Sequence, residues 1–390
     1  MSAALVSSRP VRVLVVDDLD LNRDLLIRRV QRLGHEGVAA VDGRDALAKL
    51  AQDEWDLVLL DITMPQMDGY ETLGHIRADP RLAQLPVVMV SAIDEAESVV
   101  RCLELGADDY LTKPFNPRVL QARVEASLVK KRLQDQQAQL LAALSREMEI
   151  GHRIQQGFLP AQLPSVPGWS LAAFCRPARH VGGDFYDAFV LPDGQCMLVV
   201  ADVCDKGVGA ALYMALFRTL LRVTAQQLAP GAAPHDVLQR CVGATNDYIA
   251  SVHGQENMFA TAFVALLEPQ GGTLTYLNAG HELPLLRRGG QGAPGVVALE
   301  VSGPALGLVA GPAWHIHQVS MGPNDMLVAF SDGLTEALEA SGDLAVDRLD
   351  ALMADGHREA NTLALGISRA LEGGPEVASD DITLLALVRT

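Results

Sequence analysis

The fold of the N-terminal part is decided by two stretches, VRVLVVDD (residues 11–18) and LVLLD (residues 57–61). Around them, short aliphatic runs alternate with amphipathic segments as far as about residue 126. Short runs that are apolar on both faces are typical of parallel strands covered by helices on both sides. The pattern therefore predicts a doubly wound parallel sheet, in which ligand chemistry gathers at the carboxyl ends of the strands.

Three carboxylates end these runs: Asp17 and Asp18 follow the first, and Asp61 follows the second. Because such a cluster repels itself unless a hard cation or a proton neutralises it, we expect an oxygen-lined Mg²⁺ site. Ser91 ends another aliphatic run and Lys113 precedes a proline, so a hydroxyl and an ammonium reach the same edge, where they can bind phosphoryl oxygens. Asp61 is then the expected acceptor, forming an aspartyl phosphate.

The order of these residues, with MPQMDG (64–69) and GADDYLTKPF (106–115), resembles the response-regulator receiver family. The resemblance implies a flavodoxin-like five-stranded receiver over residues 10–127, phosphorylated by a sensor histidine kinase or a phosphotransfer protein. The residues that it implies are Asp17, Asp18, Asp61 and the Thr63 carbonyl for Mg²⁺, and Ser91, Tyr110 and Lys113 for the receiver switch.

A long helix is predicted next, because no helix breaker occurs from about residue 120 until Gly151. We assign residues 128–160 to this helical linker. Leucines recur at Leu133, Leu140 and Leu144 among polar residues. This seam either pairs two chains as a short coiled coil, giving a homodimer, or packs against the helix's own domain, and the sequence leaves both interpretations open.

Strand-like runs with hairpin-type turns, interleaved with helical stretches, predict antiparallel sheets flanked by helices over residues 161–390. Carboxylates beside glycines or turns, brought from distant points of the chain, suit a two-metal site with oxygen ligands. The four candidates are Asp184, Asp202, Asp332 and Asp380.

The string KGVGAAL (206–212) could also be half of a dinucleotide fingerprint, but it lacks the third glycine and the downstream acid. From about residue 147 onward the chain instead resembles the SpoIIE/RsbU-type PPM (PP2C-like) serine phosphatases. The motifs that carry this resemblance are EMEIGHRIQQGFLP, HVGGDFYDAF, ADVCDKGVGAALYMA, MFATAF, LNAGHELPLLRR, DMLVAFSDGLTEA and DDITLLAL.

The resemblance implies a PP2C-like α/β sandwich with two Mn²⁺ or Mg²⁺ ions, and it assigns the four aspartates as catalytic residues. One ion takes Asp184, Asp202 and the Val203 carbonyl, and the other takes Asp202, Asp332 and Asp380. Cys204 stands where eukaryotic members have the histidine proposed as general acid, which leaves leaving-group protonation open. His281 is either a phosphate or acid-base residue or a turn-stabilising side chain.

Together the two resemblances imply a response regulator whose receiver controls a phosphatase. The expected substrate is a phosphorylated anti-sigma-factor antagonist in a partner-switching pathway. The alternative is a non-catalytic sigma-factor-binding adaptor of the RssB type, which has no obvious need for four intact aspartates.

Composition argues against further classes of function. The net charge of −17 argues against nucleic-acid binding, which needs clustered lysine and arginine. The five cysteines are scattered without a CxxC pair, and no stretch reaches about 18 uncharged apolar residues. We therefore expect a cytoplasmic protein that binds neither nucleic acid nor membrane.

Overall fold

The computed structural model describes residues 10–92, 96–228, 231–289, 296–339, 345–354, 359–371 and 380–390. The chain divides between Leu144 and Ser145 into two compact units. Among the described residues, buried apolar side chains form two clusters in the first unit and three in the second. Each unit therefore has its own core.

Strands and helices alternate regularly through the first unit. Its elements before the long helix are β1 (Arg12–Val16), α1 (Asp20–Arg32), β2 (Glu36–Ala40), α2 (Gly43–Gln52), β3 (Leu57–Asp61), α3 (Gly69–Ala78), β4 (Val87–Ser91), α4 (Ala96–Glu104) and β5 (Asp109–Thr112).

The five strands form one parallel sheet in the order β2-β1-β3-β4-β5. Successive side chains of a strand point to opposite faces, so Val13 and Val15 pack in one core cluster and Leu14 and Val16 in the other. This double burial explains the unbroken aliphatic run in the sequence. The predicted doubly wound five-stranded sheet is confirmed.

Helix α5 (Pro117–Phe158) is the predicted long connecting helix, and it spans 42 residues. Its first turns bury Leu120, Val124 and Leu128 in the core of the first unit. Farther along, the seam is exposed: Leu133 and Leu140 are each 61% exposed, and Leu144 is 50% exposed. The presence of the helix is confirmed, whereas its pairing with a second chain stays a prediction.

The second unit mixes hairpins and helices. Its elements are β6 (Trp169–Arg176), β7 (Phe185–Val190), β8 (Cys196–Val203), α6 (Val208–Gln227), α7 (Pro234–Val252), β9 (Ala260–Glu268), β10 (Thr273–Ala279), β11 (Leu285–Arg287), β12 (Val297–Ala298), β13 (His317–Ser320), β14 (Met326–Phe330), α8 (Asp332–Glu339), α9 (Ala345–Ala354), α10 (Ala360–Ala370) and β15 (Ile382–Arg389).

Two antiparallel five-stranded sheets pack face to face in this unit. Their orders are β13-β10-β9-β8-β7 and β12-β11-β14-β15-β6. Residues of both sheets, such as Val200 and Leu385, share the central cluster. Helices α6 and α7 cover the first sheet, and α8, α9 and α10 cover the second. The predicted antiparallel α/β sandwich is confirmed.

Helix α6 is the only helix in the described part of the chain that is long and apolar enough to cross a membrane. Its buried side chains recur every three or four residues, which is the spacing of one helix face, and they pack in the core with α7. On α6, Arg222 donates a 2.9 Å hydrogen bond to the buried Asp187 of β7. One face of α6 therefore packs against the first sheet.

Candidate functional site

The carboxyl ends of β1 and β3 place Asp17, Asp18 and Asp61 at one edge of the parallel sheet. One oxygen from each carboxylate lies within 4.8 Å of the others. Asp17 and Asp61 are buried, whereas Asp18 is exposed. The structure thus brings together the three acids that the sequence predicts as ligands of one cation.

Lys113 partly offsets the charge of this cluster. Its Nζ lies 2.7 Å from Asp17 Oδ2 and 3.0 Å from Asp61 Oδ2. Burial raises the pKa of Asp61, and the hydrogen bond from Lys113 opposes that rise. Burial alone would lower the pKa of Lys113, but its hydrogen bonds with the two aspartates outweigh burial and raise it. One ammonium does not neutralise three carboxylates, so the remaining negative charge favours a divalent cation.

Backbone contacts fix the orientation of the Asp61 carboxylate. The Ile62 amide donates to Asp61 Oδ1 at 2.9 Å. Gly69 begins α3 against this loop, and a Cβ atom there would overlap the Asp61 carbonyl. Asp68 caps the same helix by accepting from the Glu71 amide at 2.8 Å. The DG pair of the MPQMDG motif therefore shapes the loop that follows Asp61.

The remaining predicted receiver residues lie on the same edge or beside it. Ser91 is buried at the end of β4, and its carbonyl accepts from the Lys113 amide at 2.6 Å. Tyr110 is half-buried on β5, in register with Met89 of β4. Thr63 is exposed two residues after Asp61.

In the second unit, the four predicted aspartates come from both sheets. Asp184 precedes β7 and Asp202 lies near the end of β8, in the first sheet, whereas Asp332 follows β14 and Asp380 precedes β15, in the second. Their charges interact: the pKa of Asp202 is affected by all three of the others. The sandwich thus gathers the four at one site.

Burial and mutual repulsion strain this cluster electrostatically. Burial and the charge of Asp202 raise the pKa of Asp184 well above its usual range. Burial and the charge of Asp332 raise the pKa of Asp202 to about 7. The pKa of Asp332 is likewise raised by burial and by Asp380. Divalent cations relieve this kind of strain because they stabilise the ionised carboxylates.

Two observations fit these residues to metal ions. Asp184 Oδ2 is buried and has no hydrogen-bond partner among the described residues. A Cβ atom at Gly183 would lie 2.5 Å from the Val203 carbonyl oxygen, so only glycine lets that carbonyl face the Asp184 loop. These four carboxylates are more widely spaced than Asp17, Asp18 and Asp61. No three of the four have ligand atoms that all lie within 4.8 Å of one another. The donor set is entirely hard oxygen, which suits Mg²⁺ or Mn²⁺.

Asp381 is a site residue that the sequence reasoning missed. Its carboxylate accepts 2.8 Å hydrogen bonds from the amides of Ala178 and Gly183, and a side chain at Gly182 would overlap it. Asp381 therefore holds the loop that presents Asp184. The signal was the DD doublet before β15, of which only Asp380 was selected.

Lys206 and Gln155 were also missed. Lys206 Nζ lies 2.8 Å from Asp380 Oδ2 at the margin of the acid cluster. Gln155, near the end of α5, donates to the Gly182 carbonyl at 2.5 Å and accepts from the Gly182 amide at 3.1 Å. The side chain of Gln155 thus forms two hydrogen bonds with Gly182, two positions before Asp184.

His281 is buried just after β10. A 2.9 Å hydrogen bond joins its Nδ1 to Thr261 Oγ1. Thr261 is in turn the cross-strand partner of Asp202. Its backbone amide donates to Asn278 Oδ1 at 2.8 Å, which closes the turn. Burial lowers the pKa of His281 to about 4, so the ring is neutral near pH 7. These contacts match the turn-stabilising interpretation.

Sequence comparison identifies two regions of the chain. Residues 13–125 match the family described as response regulator receiver domain. Residues 192–390, just over half of the chain, match the family described as stage II sporulation protein E (SpoIIE). The chain belongs to the SpoIIE family. Its SpoIIE match contains Asp202, Asp332 and Asp380, whereas Asp184 lies before the match begins.

Individual relatives of this SpoIIE family chain match parts of it. Protein IcfG of Synechocystis sp. is 37% identical over 266 residues, which are 62% of this chain and 41% of that protein. The alkaline phosphatase synthesis transcriptional regulatory protein PhoP of Bacillus subtilis is 42% identical over 117 residues, 30% of this chain and 48% of that protein. The chain spans less than half the length of these relatives.

Among solved structures, the SiaA-PP2C domain of Pseudomonas aeruginosa aligns with a TM-score of 0.52 at 19% identity, covering 64% of this chain and 98% of that one. This likeness shows a PP2C-like fold. The SpoIIE family chain therefore joins a region that matches the receiver-domain family to a region that matches SpoIIE and has a PP2C-like fold.

Proposed function

We propose that this chain is a two-component response regulator in which phosphorylation of Asp61 controls a metal-dependent protein serine/threonine phosphatase. The observation that carries the proposal is the convergence of Asp184, Asp202, Asp332 and Asp380 from both sheets, with the pKa values of the first three raised by burial and repulsion. Carboxylates with raised pKa values are typical of functional sites, and divalent cations would neutralise this cluster.

In the receiver, Asp61 is the phosphoacceptor, and a sensor histidine kinase or phosphotransfer protein is the donor. Asp17, Asp18, Asp61 and the Thr63 carbonyl hold Mg²⁺. Lys113, already in contact with Asp61 Oδ2, binds an oxygen of the incoming phosphoryl group. Ser91 and Tyr110 are the switch residues, which respond to the new charge.

In the phosphatase, Asp184, Asp202 and the Val203 carbonyl hold one ion, and Asp202, Asp332 and Asp380 hold the other. When bound, Mn²⁺ or Mg²⁺ would offset the charge of the phosphoryl oxygens and activate water for attack on phosphorus. The protein itself orients these ligands: Asp381 holds the Asp184 loop through backbone amides, and Lys206 holds Asp380. Such outer contacts set the direction of the ligand atoms.

The substrate that we propose is a phosphorylated anti-sigma-factor antagonist. Support comes from the SpoIIE family membership and from the motifs shared with SpoIIE/RsbU-type phosphatases. We further propose domain limits of 10–127, 128–160 and 161–390, and a cytoplasmic protein that dimerises through its linker. The exposed leucines of α5 support pairing, because an uncovered apolar stripe on a helix favours association.

Coupling between the receiver and the phosphatase runs, in this proposal, along α5. The same helix buries Leu120 in the first core, and near its end Gln155 donates a hydrogen bond to the Gly182 carbonyl. A change in the linker therefore reaches the Asp184 loop through one side chain. A conformational bias of a few kcal/mol is enough to alter the rate a hundredfold.

The test is dephosphorylation of phosphoserine antagonist proteins by the full chain in Mn²⁺, with and without acetyl phosphate. We expect Mn²⁺-dependent phosphate release whose rate changes when Asp61 is phosphorylated. Absence of release from every phosphoserine substrate, together with direct binding of a sigma factor, would favour the non-catalytic adaptor instead.

A further inference from the structure

A cleft of about 1090 Å³ lies within the second unit. Its floor is the stretch 172–176 of β6, and its walls come from α10 and from the last turns of α5. A smaller cavity of about 360 Å³ shares His152, Phe174 and Cys175 with it and reaches Asp184. The two cavities are therefore neighbours, and the smaller one is lined by Asp184 of the proposed metal site.

The floor of the cleft is an edge strand. β6 pairs with β15 along one side, and in the described part of the chain no strand pairs with its other side. Edge strands present free backbone donors and acceptors that an extended peptide can use. Because strand residues rise about 3.3 Å each, residues 172–176 match about five residues of an extended peptide.

The rim of the cleft is cationic. Arg176 and Arg179 are exposed, and His180 lies beside them. Arg176 donates to Ser368 Oγ at 3.1 Å, and no described carboxylate lies within ion-pair distance of either arginine. Among the described residues that line the cleft, Glu149 is the one acidic residue. In a chain of net charge −17, two exposed arginines without a carboxylate partner in the described part of the chain favour an anionic occupant.

We propose that this cleft binds an acidic segment that flanks the phosphoserine of the protein substrate. The segment lies along β6, pairs with Arg176 and Arg179, and directs the phosphoserine into the smaller cavity toward Asp184. The inference rests on the proposed phosphatase function and adds its substrate preference: an ester with glutamate or aspartate nearby in the sequence.

The experiment uses two phosphoserine peptides that differ only in having glutamate or lysine at the flanking positions. The full chain is compared with the double variants Arg176→Ala/Arg179→Ala and Arg176→Glu/Arg179→Glu. Arg240→Ala is the matched control, because Arg240 is exposed on α7, which covers the opposite sheet. KM and kcat are measured in Mn²⁺, and peptide binding is measured separately by fluorescence anisotropy in EDTA.

We expect the wild type and the control to prefer the acidic peptide about tenfold in KM and in affinity, and less so at high salt, as exposed charge pairs predict. The alanine variant should lose the preference, and the glutamate variant should invert it, which a merely structural effect would not do. Equal binding of both peptides to the wild type, or a preference that survives in the alanine variant, would overturn the inference.

Hydrolysis of p-nitrophenyl phosphate by the wild type separates the two proposals. If that ester is not hydrolysed, the phosphatase function fails, while anisotropy still reports on the cleft. If it is hydrolysed and the peptides bind equally, the function stands and the acidic-segment site is wrong.

Discussion

The two acid clusters of this chain balance their charge in different ways. In the first unit Lys113 lies between Asp17 and Asp61, at 2.7 and 3.0 Å from their carboxylates. In the second unit the lysine contact is at the margin, between Lys206 and Asp380, while Asp184 is buried with an oxygen that lacks a hydrogen-bond partner in the described part of the chain. The protein thus partly compensates the charge of the first cluster through Lys113, whereas it compensates the charge of the second cluster only at its margin, through Lys206.

This difference suits the proposed roles. A receiver must accept one phosphoryl group reversibly, so a fixed ammonium beside the acceptor is useful at every stage. A two-metal phosphatase site would need its carboxylates for the ions, and bound cations would offset the negative charges of Asp332 and Asp380 that raise the pKa of Asp202. Regulation can therefore act on the geometry of the second cluster through the Asp184 loop.

The largest effect that would test this comparison is expected at Asp61, the proposed phosphoacceptor. Asp61→Asn should abolish labelling by radioactive acetyl phosphate, because an amide does not accept the phosphoryl group as a carboxylate does. Asp24→Asn, an exposed aspartate of α1, is the matched control and should label normally. Undiminished labelling of the Asp61 variant would identify a different acceptor.

At the second cluster, Asp202→Ala and Asp332→Ala should each lower Mn²⁺-dependent hydrolysis of p-nitrophenyl phosphate about a thousandfold or more, since each removes several kcal/mol of metal-mediated stabilisation. Calorimetric titration should also show weakened Mn²⁺ binding. Circular dichroism should show that both variants remain folded, and Asp193→Ala, an exposed turn residue, should retain activity. Substantial turnover by either variant would contradict the two-metal assignment.

His281 allows a test of the buried surroundings of the second cluster. Its pKa is lowered to about 4, so its contribution to stability is fully present above pH 6.5 and is lost as pH falls from 6.5 toward 4. Over that range the wild type should lose up to about 3 kcal/mol more unfolding free energy than His281→Asn, measured by urea titration in EDTA. His235→Asn, at an exposed position, should follow the wild type. Parallel pH profiles for wild type and His281→Asn would show that folding does not lower the pKa of His281.

The coupling between the clusters is tested at the exposed seam. Replacing Leu133, Leu140 and Leu144 by Ser should yield monomers by light scattering and flatten the dependence of phosphatase rate on Asp61 phosphorylation. Loss of a hundredfold regulation corresponds to about 2.7 kcal/mol. Three serines at the exposed polar positions Gln136, Gln137 and Gln139 control for helix propensity. If the leucine variant keeps its regulation and its oligomeric state, direct contact between the domains would be the better explanation.

The smallest expected effect is at Gln155, which connects α5 to the second cluster. Gln155→Ala removes both hydrogen bonds to Gly182 and should weaken Mn²⁺ affinity about tenfold, in the range found for residues that orient metal ligands. Gln156→Ala, its neighbour on the same helix, is the control. Equal Mn²⁺ affinity in the two variants would exclude Gln155 from positioning the Asp184 loop.

The sequence by itself determined the fold class, the long helix and the places of the candidate acids. Aliphatic runs buried on both faces predict parallel strands, and Asp17 and Asp61 end two such runs, so their meeting follows from the topology of a parallel sheet. In the second unit, Asp202 and Asp332 were found through motifs beside glycines and turns. These features are local in the chain, and local patterns are what a sequence displays directly.

Only the tertiary structure identified Asp381, Gln155 and the cleft along β6. Asp381 contacts Gly183 from 198 positions away, and Arg176 contacts Ser368 across 192 positions. No periodicity or motif spacing encodes which side chain fills the space above a distant glycine, because that depends on how two sheets and their helices pack together. The ligands of the second cluster could be proposed from the sequence, but the contacts that aim them are set by the packing of the sandwich.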